Sequence, residues 1–294
     1  MIRCRSNVLI SLLALNLLII FGTFVYVTRD ATPFKARTRD NDRNVKDAKL
    51  PAVHTLCVII PFRDRYEELA VFAPYMDKFL NSQLVSHHFL VMNQTDPFRF
   101  NRASLINVGW HVAESKGCSY LVMHDVDLLP LNREIDYTFP GQGVVRHISS
   151  PAYHPKYKYA KFIGGILMLT MDDYKKIDGM SNKYWGWGME DDELYLRIRE
   201  RSDLNLTRVA GLKTNRTNTF RHIHPKTRQR DFAIITPNQR AMKRTRDRIS
   251  GLHNVKYQIM SQKELFFKET EVFMLDVALH CDLTWTPYCV EATS

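Results

Sequence analysis

The sequence predicts an α/β fold with a mostly parallel central sheet. Four short, continuous apolar runs end in polar residues or proline, which is typical of strands covered on both faces. Segments with apolar residues at helical spacing lie between the first three runs. The order strand, helix, strand, helix, strand favours a parallel sheet, whose ligand is expected beyond the carboxyl ends of the strands.

The elements follow in chain order. The predicted strands are residues 55–60, 88–92, 120–124 and 165–169. Pro74 falls inside the first predicted helix and is expected to kink or interrupt it, because proline has no N–H to donate. Asn101 is expected to cap the second helix, in which Ile106, Trp110 and Ala113 share one face.

The N-terminal part of the chain predicts a membrane anchor. Residues 8–27 are almost entirely apolar, and about 20 such residues are needed to cross a bilayer as a helix. The run ends in bulky residues rather than in the small residues of a cleavage site, so it is interpreted as uncleaved. Residues 1–7 then form a short tail, the charged residues 28–52 a stem, and residues 53–294 one domain. More basic residues follow the span than precede it, so the positive-inside count alone favours a cytosolic C-terminal domain, and the orientation is left open at this point.

Composition narrows the class of partner only partly. The 41 Lys and Arg exceed the 31 Asp and Glu, which gives a net charge of +10 and favours anionic partners. Nucleic acid, membrane headgroups, phosphorylated metabolites and sulfated sugars all remain open on this evidence. Ordinary globular composition excludes a collagen, a coiled coil and a wholly disordered chain.

The cysteines and sequons favour an oxidising compartment. No CxxC motif exists, so a zinc ribbon or thioredoxin-like site is excluded. Cys281 and Cys289 lie in the turn-rich segment CDLTWTPYC and are predicted to form a disulfide. Cys57 and Cys118 are interpreted as small core residues of strands, with a bridge as the alternative. Candidate glycosylation sites are Asn93, Asn205 and Asn215.

Polar side chains follow the first and third predicted strands. Arg63 and Arg65 come after the first strand, and Asp125 and Asp127 come after the third. Two arginines suit a diphosphate, since each guanidinium binds phosphate oxygens bidentately, although a solvated helix start explains them too. No Walker A motif or GxGxxG follows a predicted strand, so neither a P-loop NTPase nor a Rossmann dehydrogenase is supported.

His222 and His224 share the spacing of the two aspartates. In an extended chain, residues at i and i+2 lie on the same side. A carboxylate and two imidazoles could therefore form a metal site, and mixed oxygen and nitrogen ligation suits Mn²⁺ among other ions. An acidic turn and surface histidines are the alternative interpretation.

The most distinctive segment is WGWGMEDDE, residues 185–193. Two tryptophans separated by glycine predict a mobile aromatic loop, and indole rings suit the apolar face of a sugar. Four carboxylates then open a predicted helix in which Leu194 and Ile198 share a face. Clustered carboxylates can raise the pKa of one of them into the range of a general base. Helix-dipole compensation and core tryptophans are the alternatives.

Five motifs in this order resemble those of the β-1,4-galactosyltransferases, and the resemblance covers residues 54–290. The motifs are FNRASLINVGW, HDVDLLP, IGGILML, WGWGMEDDE and FRHIH. The segments NQTDPFRFNRA and HPKYKYAKFIGG and the two-histidine FRHIH are most similar to the members that add galactose to xylose in the proteoglycan linkage region. The resemblance implies a GT-A-type nucleotide-sugar glycosyltransferase domain in a type II Golgi membrane protein, with the catalytic domain lumenal.

The resemblance also implies the roles of individual residues. Mn²⁺ would be held by Asp127, His222 and His224, and the catalytic base would be Asp191. The implied donor-binding residues are Arg63, Arg65, Phe100, Asn101, Arg102, Asp125, Val126, Asp127, Tyr157, Trp187 and Arg230. The implied acceptor-binding residues are Tyr159, Trp187, Glu190, Asp191 and Asp192.

The implied reaction is an inverting, Mn²⁺-dependent transfer of galactose from UDP-galactose to the 4-hydroxyl of xylose on proteoglycan core proteins. Residues 225–251 would form a lid. The basic cluster within it is interpreted as a solvated face rather than an anionic-glycan contact, and it consists of Arg240, Lys243, Arg244, Arg246 and Arg248. Transfer to N-acetylglucosamine and a catalytically inactive Golgi glycan-binding protein are the alternatives. A nucleic-acid partner is not expected, because such a module leaves the anchor and WGWGMEDDE unexplained.

Overall fold

The structure is a computed structural model that describes residues 54–224, 228–236, 239 and 245–290. All of them belong to one compact unit, residues 50–294. The predicted tail, anchor and stem lie outside the described residues. Within the described ranges, no helix is both long enough and apolar enough to cross a membrane.

Ten strands and four α-helices make up the described fold. The strands are β1 (Thr55–Phe62), β2 (Ser86–Gln94), β3 (Tyr120–His124), β4 (Leu128–Pro130), β5 (Val144–His147), β6 (Ile166–Thr170), β7 (Asn205–Arg208), β8 (Phe220–His222), β9 (Tyr257–Phe267) and β10 (Thr270–Leu279). The helices are α1 (Tyr66–Asn81), α2 (Arg102–Ser115), α3 (Met171–Lys176) and α4 (Glu190–Arg199).

Eight strands form a mixed sheet in the order β7-β5-β6-β3-β1-β2-β10-β9. Its centre is parallel, because β1 pairs in parallel with β2 and β3, and β2 with β10. Strand β6, however, is antiparallel to β3 and β5, and β9 is antiparallel to β10. The sheet is therefore mixed, and four of its seven strand pairings are parallel, including that of β5 with β7, so the prediction of a mostly parallel sheet holds by a small margin. A parallel return needs a crossover, usually a helix, and no helix lies between β3 and β6.

Alternate residues of β1 pack on opposite faces of the sheet. Cys57 and Ile59 share a buried cluster with α2, whereas Leu56, Val58 and Ile60 share the other with α1. This is the two-residue periodicity of a strand covered on both sides, as the continuous apolar run predicted.

The two predicted helices form, with one difference. Asn101 caps α2 as predicted, since its Oδ1 accepts a hydrogen bond of 2.9 Å from the N–H of Ser104. Helix α1 runs through Pro74 to Asn81, so the expected interruption is wrong. The buried side chains Phe72, Ala73 and Met76 pack in the core around this position, and tertiary packing outweighs the missing hydrogen bond.

The domain contains two disulfides among its described residues. Cys281 pairs with Cys289 as predicted, with 6.1 Å between their Cα atoms. Cys57 also pairs with Cys118, with a Cα separation of 5.9 Å, so the preferred interpretation of these two as unpaired core residues is wrong. The parallel register of β1 and β3 pairs Leu56 with Tyr120, so Cys57, the next residue of β1, lies close to Cys118, two residues before Tyr120.

Candidate active site

Polar side chains from β1 and β3 meet beyond the carboxyl ends of these strands. Arg65 Nη1 lies 3.2 Å from Asp127 Oδ2 and 3.2 Å from His224 Nδ1. The convergence of arginine and carboxylate expected from a parallel pair of strands is confirmed for these residues.

Asp127, His222 and His224 form the candidate metal site. Each offers one ligand atom, and these atoms lie within 4.8 Å of one another. A two-stranded sheet assembles them, because β4 pairs with β8 so that Leu128 lies opposite His222. The N–H of Ile223 also donates to the carbonyl of Asp127 at 2.8 Å. The two imidazole rings stack with centroids 5.5 Å apart, as side chains at i and i+2 should.

The protonation states of this cluster suit a divalent cation. Burial lowers the pKa of His222, which favours the neutral imidazole that a metal ion binds. Burial alone would raise the pKa of Asp127, but His222, Arg65 and His224 more than offset it, and the net pKa is lowered. One carboxylate oxygen and two imidazole nitrogens are ligands that fit Mn²⁺. The residues present therefore fit the expected ion.

The chain between Asp125 and Asp127 is not extended. Residues 126–127 form a turn rather than an extended segment, with the N–H of Leu128 donating to the Asp125 carbonyl at 3.3 Å. Asp125 instead accepts a hydrogen bond of 2.9 Å from Arg102 Nε. The extended segment assumed for this pair is therefore not formed, and contact of Asp125 with a sugar nucleotide stays a prediction. Val126, at the centre of the turn, is buried and fixes it to the core.

Arg63 holds the segment that follows β2. Its guanidinium donates to the carbonyls of Gln94, Asp96 and Phe98 at 3.3, 3.0 and 2.7 Å. The Cζ atom of the Arg63 guanidinium also lies 5.8 Å from the centroid of the Phe100 ring. Arg63 thus orders the loop that presents Phe100, a role the sequence did not reveal, and its contact with a diphosphate stays a prediction.

Asn101 is likewise engaged inside the protein. Besides capping α2, its Nδ2 donates to the carbonyl of Asn182 at 3.0 Å, and its own N–H donates to Gln94 Oε1 at 2.9 Å. Both Oδ1 and Nδ2 of the side-chain amide are used inside the protein. Asn101 therefore positions its neighbours Phe100 and Arg102 instead of presenting its side chain to the sugar nucleotide.

Asp191 lies in the first turn of α4, in close contact with Gly164. A Cβ added at Gly164 would lie 2.7 Å from Asp191 Oδ2, so only glycine leaves room for this carboxyl. Burial first, and then the charges of Glu190 and Asp192, raise the pKa of Asp191 to about 8. A carboxyl whose pKa lies near neutral pH is suited to accept a proton during catalysis.

Of the other three carboxylates of residues 190–193, Glu190 and Asp192 lie in the site, and Glu193 is buried in an ion pair outside it. Glu190 lies 3.8 Å from Arg102, and Asp192 is hydrogen-bonded to the hydroxyl of Tyr159. The predicted acceptor residues Tyr159 and Asp192 are thus brought together. Glu193 instead forms a buried ion pair of 2.8 Å with Arg197 and takes no part in the open site.

The two tryptophans of the loop have different roles. Trp185 is 4% exposed and belongs to the core, whereas Trp187 is 42% exposed. Trp185 thus matches the alternative interpretation of a core tryptophan, and Trp187, the implied site residue, is the exposed ring. The Trp187 ring lies 6.2 Å from that of Tyr157 and 5.3 Å from the guanidinium of Arg230. The buried Tyr157 hydroxyl has no hydrogen-bond partner among the described residues and is available to a ligand.

Sequence reasoning missed Phe232, whose ring contacts that of Trp187 edge-on with centroids 4.7 Å apart. It lies in the predicted lid, which is described at 228–236, 239 and 245–251. In the basic cluster, Arg246 pairs with Glu193 and Glu200, and Arg248 pairs with Glu200. These two arginines form ion pairs rather than a purely solvated face. The remaining residues of the cluster, Arg240, Lys243 and Arg244, lie outside the described residues.

The three sequons differ in accessibility. Asn93 lies in β2, and its Nδ2 donates to Asp276 Oδ1 at 2.8 Å. Asn205 and Asn215 are exposed. Glycosylation of all three stays a prediction, and the surface position of the latter two suits it better.

Two galactosyltransferase family models match most of the chain. Residues 145–223 match the N-terminal domain of galactosyltransferase, and residues 38–140 match the N-terminal region of glycosyl transferase group 7. A xylosylprotein 4-beta-galactosyltransferase of Caenorhabditis elegans is 58% identical, over 97% of this chain and 96% of that protein. Beta-1,4-galactosyltransferase 7 of Homo sapiens is 47% identical, over 80% of this chain and 71% of that protein.

Solved structures share the same fold. A mutant of Drosophila β-1,4-galactosyltransferase 7 in complex with manganese, UDP-Gal and xylobiose is 48% identical, with a TM-score of 0.78 over 81% of this chain and 99% of that chain. The catalytic domain of the same protein with xylobiose is 48% identical, with a TM-score of 0.79 over 82% of this chain and 100% of that chain.

Proposed function

The chain belongs to the β-1,4-galactosyltransferase family, and from this premise we propose that it transfers galactose from UDP-galactose to xylose in a Mn²⁺-dependent reaction. Its fold is of the GT-A type with a mixed sheet. The observation that carries the proposal is the ligand cluster of Asp127, His222 and His224. Relatives whose names or bound ligands include xylose, UDP-Gal and manganese support the choice of donor, acceptor and ion.

Asp191 acts as the general base of this reaction. Its carboxylate takes the proton from the 4-hydroxyl of xylose while that oxygen attacks the anomeric carbon of galactose. Attack comes from the face opposite UDP, so an α-linked donor gives a β-linked product. The raised pKa of Asp191 makes this carboxylate more basic than an ordinary aspartate.

The arginine side of the site faces the departing UDP. When bound by Asp127, His222 and His224, Mn²⁺ supplies Lewis-acid stabilisation of the diphosphate leaving group. Arg65, beside the same aspartate, is available to donate to phosphate oxygens. With the leaving group stabilised as an anion, the reaction needs no general acid.

Aromatic side chains frame the sugars. Trp187 offers an exposed indole face, and the free hydroxyl of Tyr157 lies beside it. Tyr159 lies on the acceptor side, bonded to Asp192. These three side chains orient the acceptor so that its 4-hydroxyl meets Asp191.

The natural acceptors are xylosylated proteoglycan core proteins, and the enzyme is a single-pass type II protein of the Golgi membrane. The apolar run at 8–27 supports an anchor, with residues 1–7 cytosolic, 28–52 as stem and 53–294 lumenal. Two disulfides suit the oxidising lumen, where such bonds persist.

A matrix of donors and acceptors tests the proposal. The purified full-length chain in detergent is given UDP-galactose or UDP-glucose with a β-xyloside or N-acetylglucosamine, in Mn²⁺ or in EDTA. We expect product only from UDP-galactose, the xyloside and Mn²⁺ together. A preference for N-acetylglucosamine would favour the first alternative acceptor, and UDP binding without transfer to either sugar would favour an inactive glycan-binding protein.

A further inference from the structure

Arg99 and Asp231 form a bidentate ion pair beside the tryptophan loop. Arg99 Nε lies 2.5 Å from one carboxylate oxygen of Asp231, and Nη2 lies 2.8 Å from the other. The Arg99 side chain is 1% exposed and the Asp231 side chain 36%. Because one partner is buried, the pair is screened less by water than an ordinary surface pair.

The arginine is anchored to the C-terminal segment of the domain. Arg99 Nη1 donates to the carbonyl of Tyr288 at 3.1 Å, and the Arg99 N–H donates to the carbonyl of Cys289 at 2.8 Å. Cys289 is itself fixed by its disulfide with Cys281. The guanidinium therefore projects from a rigid base, and Asp231 is the partner whose segment it holds.

The segment around Asp231 contacts Trp187 in three ways. The N–H of Trp187 donates to the carbonyl of Asp231 at 2.8 Å. The residues on either side of Asp231, Arg230 and Phe232, both contact the Trp187 ring. Holding Asp231 in place thus fixes the backbone of Trp187 and two contacts of its ring.

Gly186 is adapted to the same pair. Its φ of +88° lies in the left-handed region that favours glycine, and a Cβ at this position would overlap the Arg99 guanidinium. Its N–H donates to the carbonyl of Phe100 at 2.9 Å. The glycine before Trp187 is therefore required by the approach of Arg99, beyond any mobility that it gives the loop.

We propose that the Arg99–Asp231 ion pair positions Trp187 and thereby sets the affinity for the acceptor sugar. The inference rests on the proposed function, since Trp187 is the exposed platform of that site. The hydrogen bonds of the Arg99 guanidinium go to Asp231, Tyr288 and Ala233, and the Asp231 carboxylate also accepts from the N–H of Ala233, so both side chains are engaged within the protein. They are positioning residues, and the metal cluster at Asp127, His222 and His224 is formed without them.

Substitution of the exposed partner, Asp231, tests the proposal while leaving the hydrogen bonds of Arg99 to the carbonyls of Tyr288 and Ala233 in place. In the full-length enzyme, Asp231→Ala should raise the KM for a β-xyloside about tenfold and change kcat less than about threefold. Asp231→Asn, which keeps the shape but not the charge, should give a smaller rise in acceptor KM. Arg99→Lys, which keeps the charge but not the bidentate geometry, should act in the same direction.

Asp203→Ala is the matched control. It removes another bidentate pair, in which Arg201 donates to both oxygens of Asp203 at 2.9 Å, but both of those side chains are exposed. This variant should leave the acceptor KM unchanged. If Asp231→Ala gives the same acceptor KM as Asp203→Ala, and changes only the melting temperature, the pair is merely structural and the inference is overturned. Failure of the unsubstituted enzyme to use a xyloside would instead overturn the proposed function.

Discussion

Arg102 donates from Nε to Oδ1 of Asp125 at 2.9 Å, and this contact joins the two halves of the site. The same guanidinium lies 3.8 Å from Glu190, the first residue of α4. It therefore lies between the turn that follows β3 and the helix that carries Asp191. The positive charge of Arg102 also lowers the pKa of Asp191, against the larger effect of burial and the neighbouring carboxylates, which raise it.

The charge of Arg102 should control the pH dependence of transfer. A base must be deprotonated to act, and the pKa of Asp191 is about 8, so kcat/KM should rise with pH through this region. Arg102→Met removes a positive charge, makes loss of the proton harder and should move the rising limb to higher pH. Arg102→Lys keeps the charge and should shift it less. If kcat/KM rises at the same pH in both variants and in the unsubstituted enzyme, the charge of Arg102 does not act on the pKa of the base.

Loss of the metal ligands should abolish transfer without unfolding the domain. Asp127→Asn, or the combined changes His222→Ala and His224→Ala, removes ligand atoms from the cluster. We expect no Mn²⁺-dependent product and no Mn²⁺ binding by calorimetry, with an unchanged far-UV circular dichroism spectrum. His87→Ala, which alters a histidine bonded to Asp77 and outside the cluster, is the control and should keep both properties. Unaltered activity in the ligand variants would remove the site.

The unexpected disulfide should contribute to stability. Replacing both Cys57 and Cys118 by Ala opens a loop with a sequence separation of 61 and should lower the free energy of unfolding by about 2–4 kcal/mol. The same change at Cys281 and Cys289, with a separation of 8, should cost less in the chain-entropy account. Urea denaturation measures both. Peptide mapping that finds Cys57 and Cys118 as free thiols in the native protein would contradict the pairing.

The proposed topology predicts a protected catalytic domain. If residues 8–27 span the Golgi membrane with the C-terminus in the lumen, protease added to sealed vesicles should spare residues 53–294. The same protease with detergent should digest them. Digestion of the domain in intact vesicles, with a lumenal marker protein still protected, would reverse the orientation.

The sequence predicted local features of the fold and site better than long-range ones. The helix cap at Asn101 follows from neighbouring residues, and the ligand set of Asp127, His222 and His224 follows from motif spacing and resemblance. The antiparallel β6 and the Cys57–Cys118 bridge depend on which strands become neighbours, which apolar runs do not encode.

The two tryptophans of one loop also show that a local pattern does not reveal long-range contacts. Trp185 and Trp187 are two residues apart, yet one packs in the core and the other is exposed. Gly186, between them, has a φ of +88°, in the left-handed region that favours glycine. This conformation is fitted to Arg99, a residue far away in sequence, and no local pattern reveals the contact.

The turnover of Asp191→Asn with a xyloside acceptor tests the central claim most directly. The substitution keeps the size of the side chain but removes its basicity, so kcat should fall by about 10²–10⁴ while UDP affinity stays unchanged. Asp172→Asn, a carboxylate of α3 outside the site, should leave kcat as it is. Near-normal turnover of Asp191→Asn would contradict the account, and the base would then have to be Glu190 or Asp192.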